Sequence, residues 1–228
     1  MERPQTSRSG AVPARRTVSQ PDTLISYLHG ASVDSAFLDS MTMLLARDKF
    51  RRVLDVASFE SGPYITDGRN MQAEVFLGTK AKWMLMLDTD MAFPHDILPR
   101  LLKHATPERV VGALCYSYNG RTRDAKPVLF GEEDAGRIEA WEPGSLVPVG
   151  AVGCACLLVH RNVFEKTPRP WFQNVHLPNG AHMDQDQSWC LNIRLAGFKI
   201  AVDTSTVAGH CKRIVVDSRD YQMPGGTI

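Results

Sequence analysis

Four things are scarce in this chain of 228 residues, and each scarcity removes a class of explanation. There is no excess of charge: 26 Lys and Arg stand against 25 Asp and Glu, a formal net charge of +1. Little is left over to neutralise a phosphate backbone, so nucleic acid is not expected as a partner. Cysteine is sparse and odd in number, at Cys115, Cys154, Cys156, Cys190 and Cys211. That count does not make a secreted disulfide framework, and reduced thiols in the cytoplasm are expected. Long apolar runs are missing: residues 147–159 form the longest, broken by Pro148 and two glycines. It is too short to span a bilayer, and the N-terminal residues lack the apolar core of a secretory signal. No integral membrane segment is expected. Finally, residues 29–34 hold one glycine and no lysine. A glycine-rich phosphate loop with a lysine, as a nucleotidyltransferase would carry near its first strand, is absent there. No internal repeat is seen.

What is present is an ordinary globular composition, 43% apolar and 22% charged, in a length that suits one domain. Residues 1–21 carry four arginines against one glutamate among Ser, Pro and Gln, and a disordered basic leader is expected there. The domain is expected over 22–216, with a flexible tail at 217–228. Thr23 to Leu28 reads as a buried strand ending at His29-Gly30. A helix follows, capped by Ser32 or Asp34, with Phe37, Leu38, Met41, Leu44 and Leu45 at helical spacing. A strand is expected over 52–57 and a helix over 69–78, with Met71, Val75 and Phe76 facing inward. Residues 83–87 are wholly apolar, as in a strand covered on both faces. A helix over 94–104 and a strand over 110–114 come next, then a loop and hairpin region over 117–146. Residues 149–159 read as a strand pair, or as one strand with a glycine-bearing approach. Helices over 161–166 and 187–196 and a last strand over 199–203 complete the pattern. The alternation of strand and helix predicts an α/β fold, one domain with a mostly parallel central sheet flanked by helices.

Three clusters carry chemistry. The apolar strand runs straight into Asp88-Thr89-Asp90. Ligands of open α/β sheets bind outside the carboxyl ends of strands, and two carboxylates there suit a hard cation such as Mg²⁺ or Mn²⁺ bridging to a diphosphate. Asp184-Gln185-Asp186-Gln187 precedes an apolar helical segment. Carboxylates at a helix start cap backbone amides, and the same placement serves a general base. His210, in Gly209-His210-Cys211-Lys212, offers an imidazole that is a sound Mn²⁺ ligand or a plain loop residue. Cys154 and Cys156, flanked by Gly, Ala and Leu, read as buried small side chains. Trp171 and Trp189 either line a ligand or fill the core, with a lining role favoured for Trp189.

Taken in order, these segments resemble the family-2-type glycosyltransferases of the GT-A (Rossmann-like) fold, especially short bacterial and phage-encoded members. The matching segments are Asp67-Gly68-Arg69-Asn70, Trp83 through Asp88-Thr89-Asp90 to Pro94, Val152-Gly153-Cys154 to Arg161, and Pro170-Trp171-Phe172. Asp184 to Cys190, Ala196 to Ile200 and Val202-Asp203 to Gly209-His210 continue the series. The resemblance implies a metal-dependent glycosyltransferase (hexosyltransferase type) taking a UDP- or GDP-sugar with Mn²⁺ or Mg²⁺, acting with inversion in the cytoplasm, or the host cytoplasm for a phage protein. It implies Asp90 and His210 as metal ligands, with Asp88 on the metal or nucleotide. His29 and Gly30 fall at the nucleotide base, Arg69 at the diphosphate or paired to a neighbour, and Gly153 where the chain approaches the sugar. Asp186 matches the catalytic base, with Asp184 as fallback. Gln185 stands where glutamate is common, and Trp189 completes the acceptor side. A protein or glycan acceptor is expected rather than a lipid. The alternatives are a nucleotidyltransferase acting on sugar phosphates, and a non-catalytic nucleotide- or carbohydrate-binding module.

Overall fold

The strand formed by residues 83–88 organises the molecule because its side chains alternate between two separate cores. Met84 and Met86 join one cluster with Phe76, Phe164 and Trp189. Trp83, Leu85 and Leu87 join the other with Phe37, Ile97 and Leu101. A strand presents successive side chains to opposite faces, so only a continuous apolar run can feed helices on both sides of a sheet.

The structure is a computed structural model describing residues 22–48, 52–132, 136–178 and 180–214. The expected leader over 1–21 and tail over 217–228 lie outside these. The first half holds β1 (Thr23–His29), α1 (Ser35–Ala46), β2 (Val53–Glu60), α2 (Ile65–Gly78), β3 (Trp83–Asp88), β4 (Met91–Ala92), α3 (Ile97–Leu102) and β5 (Arg109–Leu114). Next come β6 (Tyr116–Asn119), β7 (Asp124–Pro127), β8 (Leu129–Phe130), β9 (Leu146–Pro148), β10 (Ala151–Val152), β11 (Cys156–His160) and α4 (Arg161–Lys166). Then follow β12 (Val175–His176), β13 (His182–Met183), α5 (Gln185–Leu195), β14 (Lys199–Val207) and β15 (Gly209–His210).

Seven strands form the central sheet in the order β2-β1-β3-β11-β5-β14-β9. β2, β1, β3, β5 and β14 run one way, which is the mostly parallel α/β sheet expected. β11 is inserted antiparallel between β3 and β5, and β9 lies antiparallel on the edge beside β14. The region over 117–146 does contain a hairpin, β6 with β7.

Of the two candidate caps for α1 it is Asp34 that acts, accepting a hydrogen bond from the Ala36 amide. In α2 the expected inner face is rotated. Met71 and Val75 are exposed, and the buried residues are Gly68, Arg69, Gln72, Ala73 and Phe76. The helix turns polar groups inward because partners await them there: Gln72 donates to Ser26 Oγ at 3.0 Å, and Arg69 meets Asp88. In α1, Leu38 and Leu45 are likewise exposed while Phe37, Met41 and Leu44 are buried. The helix expected over 94–104 is only the short α3.

Candidate active site

The carboxyl ends of β1 and β3 lie side by side, with Leu28 paired to Asp88. The chain leaves β3 through Thr89 and Asp90 and forms β4, which pairs antiparallel with β15 and sets His210 across from Met91. This short ladder, with the Cys211 amide donating to the Asp90 carbonyl at 2.7 Å, brings together residues 120 positions apart. His210 Nε2 lies 2.7 Å from Asp90 Oδ2. Its Nδ1 lies 3.0 Å from the Tyr116 carbonyl, which only accepts, so Nδ1 carries the proton. That leaves Nε2 pointing at a carboxylate oxygen, as the second N–H of an imidazolium or, once a cation lies between them, as a lone-pair ligand. Two acceptors approach this closely only around a shared cation or proton. Lys212 Nζ reaches the same Oδ2 at 3.1 Å. Partial burial works against ionisation of Asp90, but the Lys212 hydrogen bond and the His210 charge hold its carboxyl below the usual range.

A second set lies behind the first. Arg69, 1% exposed, donates from NH2 to Asp88 Oδ1 at 2.6 Å. Burial works against its charge, yet Asp88, with help from Asp186, holds the guanidinium firmly protonated. Arg69 therefore takes the paired role open to it in the sequence. Asp186 lies in the first turn of α5, and its Oδ2 accepts from the Cys154 amide at 3.1 Å. Gln185 Nε2 donates to Asp186 Oδ1, so the glutamine at this position holds the neighbouring carboxylate where a glutamate would repel it. Burial pushes the Asp186 carboxyl above its ordinary value, against the pull of Arg69 and the Cys154 amide. Gly153 keeps that amide within reach: a Cβ there would lie 3.2 Å from Val128 Cγ1 and 3.7 Å from Asp186 Oδ2. Asp184 is exposed and caps α5 by accepting from the Gln187 amide at 2.9 Å.

A cavity of about 630 Å³ opens beside Asp90, lined by Ser32, Asp34, Thr89, Cys211 and Lys212 among others. That volume falls in the range of small-molecule sites. A second hollow of about 310 Å³ is lined by His210, Tyr116, Tyr118 and Lys212. His29 and the exposed Gly30 stand at the end of β1, next to β3, with His29 Nδ1 donating to the Gly30 carbonyl at 2.8 Å.

The fold thus joins Asp90 to His210, and Arg69 to Asp88, with Asp186 close enough to feel both members of the second pair. It does not gather Asp88, Asp90 and His210 into a ready cage; among the described residues no three or more His, Cys, Asp or Glu side chains form a metal-competent group. Trp189 does not line the site. It is fully buried and stacks on Phe172 at 5.1 Å between ring centroids, while Trp171 is buried against Phe164. Trp189 sits in the core because the face of α5 that carries it packs inward with Ile193, and Trp171 joins the same cluster. Cys154 and Cys156 are fully buried, as their flanking residues suggest. The residue that sequence reasoning passed over is Lys212; its signal was a cation two positions after the candidate histidine.

No family model matches the chain, and no curated protein does. Solved structures do. A crystal structure of A197 from STIV is similar with a TM-score of 0.58 at 19% identity, over 84% of this chain and 86% of that one. A crystal structure of GalNAc-T7 with UDP, GalNAc and Mn²⁺ has a TM-score of 0.60 at 12% identity over 85% of this chain. The match spans 44% of the GalNAc-T7 chain, less than half its length. At these identities the likeness shows the fold alone, a GT-A-like α/β arrangement.

Proposed function

We propose that the domain over 22–216 is a metal-dependent glycosyltransferase that moves a sugar from a UDP- or GDP-linked donor to an acceptor hydroxyl, with inversion. The observation that supports this most is the 2.7 Å approach of His210 Nε2 to the Asp90 carboxylate just past the end of β3. One carboxylate oxygen and one imidazole nitrogen suit Mn²⁺ or Mg²⁺, and a partial set of protein ligands leaves positions for diphosphate oxygens and water. A bound cation there supplies positive charge to the departing nucleoside diphosphate. The cavity beside Asp90 has room for such a donor.

The chain's own residues divide the remaining work. Asp88, turned and neutralised by Arg69, faces the nucleotide side. Arg69 is too deeply buried to touch a diphosphate and acts as a positioning residue, setting Asp88 and the charge near Asp186. Asp186 takes the acceptor proton as the hydroxyl attacks. Its raised carboxyl is closer to the working range of a general base, and its oxygens keep lone pairs beyond those given to Cys154 and Gln185. His29 and Gly30 border the nucleotide base. The acceptor is a protein or glycan, and the setting is the cytoplasm.

A panel of UDP- and GDP-sugars, with and without Mn²⁺, tests this by thermal shift and product analysis. One donor should raise the melting temperature only with Mn²⁺ and release nucleoside diphosphate on transfer. Asp90→Asn should abolish both; near-normal turnover in that variant would overturn the assignment. Release of pyrophosphate would identify a nucleotidyltransferase, and donor binding without turnover over a wide acceptor panel a binding module.

A further inference from the structure

Lys212 has no part in the function proposed above, yet its ammonium sits 3.1 Å from the Asp90 oxygen that His210 Nε2 approaches at 2.7 Å. The two contacts share one oxygen atom. His210 is fixed, its other nitrogen bound to the Tyr116 carbonyl and its backbone paired in the β15–β4 ladder. Lys212 lies beyond the end of β15 and its side chain is 38% exposed. Of the two neighbours of Oδ2, only the lysine is free to leave. Where it can go is also visible, because Lys212 and Arg213 line the 630 Å³ cavity beside Asp90.

We infer that Lys212 is a stand-in cation on Asp90 that a divalent metal must displace, and that its release into the cavity couples metal binding to binding of the anionic diphosphate. This rests on Asp90 and His210 forming the metal site. An ammonium and a metal ion compete for the same lone pairs, so the metal binding alone must break an existing ion pair. Diphosphate arriving in the cavity gives the displaced ammonium a new counter-ion. Each ligand then lowers the cost of the other, and such coupling is reciprocal by necessity. The result is a site that binds metal weakly until the nucleotide is present.

The test is Mn²⁺ titration of the full-length chain, followed by the electron-spin resonance of free Mn²⁺, alone and then with UDP or GDP. Lys212→Gln should bind Mn²⁺ alone about fivefold more tightly than wild type, and nucleotide should then improve its Mn²⁺ affinity less than it improves the wild type's, within the usual range of site coupling. Lys212→Arg keeps the charge and should behave as wild type. Equal Mn²⁺ affinity in wild type and Lys212→Gln, both folded by thermal melting, would overturn the inference while leaving the metal site intact. Failure of every variant and of wild type to bind Mn²⁺ would overturn the site itself, and this inference with it.

Discussion

Asp90 and Asp186 stand at the mouth of the same sheet, but their surroundings share almost nothing. Asp90 is 43% exposed at its side chain, and its partners are a histidine and a lysine from the far end of the chain. Asp186 is partly buried, held by a main-chain amide and a neighbouring glutamine, with the fully buried Arg69 behind it. One carboxylate is kept ready to exchange its partners, and the other is fixed. The difference matches the proposed division of labour, in which ligands come and go at Asp90 while a proton is taken at a set point by Asp186.

The comparison breaks most readily at Arg69. Arg69→Met would leave the part-exposed Asp88 and the part-buried Asp186 without the buried cation between them, and should cost about 3 kcal/mol of stability by urea unfolding. A loss under about 1 kcal/mol would mean that the inner set is no more fixed than the outer one. Asp186→Asn should lower turnover by about 10²- to 10⁴-fold, as expected for removal of a general base, with Mn²⁺ affinity unchanged. Loss of Mn²⁺ binding in that variant would merge the two halves of the site. His210→Ala removes a part-buried pair at the rim of the site, so its stability should fall by no more than about 1 kcal/mol while the Mn²⁺-dependent thermal shift disappears.

The smallest effect is on pH dependence. Asp186 has a raised value in the fold, so its contribution to stability is present at low pH and lost as pH rises through that value. Asp90 has a depressed value, so its contribution is present above the ordinary carboxylate range and lost as pH falls through the depressed one. A base must be ionised to act, and the acid limb of a kcat profile should therefore lie above the ordinary aspartate value. A limb at or below that value would remove Asp186 from the role.

Much of this arrangement was readable along the chain. The run over 83–87 declared a strand covered on both faces, and Asp88-Thr89-Asp90 fell at its carboxyl end because the apolar pattern stops there. Asp34 was one of two caps that local rules offer for α1, and a carboxylate cap within Asp184–Gln187 was recognisable for α5 in the same way. Pairings between distant segments were not readable. The inner face of α2 went astray because periodicity assigns Met and Val to the core, and nothing local shows that Asp88 and Ser26 await Arg69 and Gln72. Trp189 was misplaced for a related reason: an indole suits a sugar or a core equally, and only the neighbouring Phe172 and Phe164 decide. The antiparallel insertion of β11 left no mark, since a strand buried on both faces has the same composition in either direction.

His210 receives its orientation from the carbonyl of Tyr116. That oxygen belongs to the main chain at the first residue of the β6–β7 hairpin, so the contact does not depend on which side chain position 116 bears. The hairpin's outward residues are thus at liberty to drift, and with them whatever surface they offer to a second substrate, without disturbing the histidine. Relatives of this chain can be expected to differ widely over 117–126 while still holding the ring in one orientation.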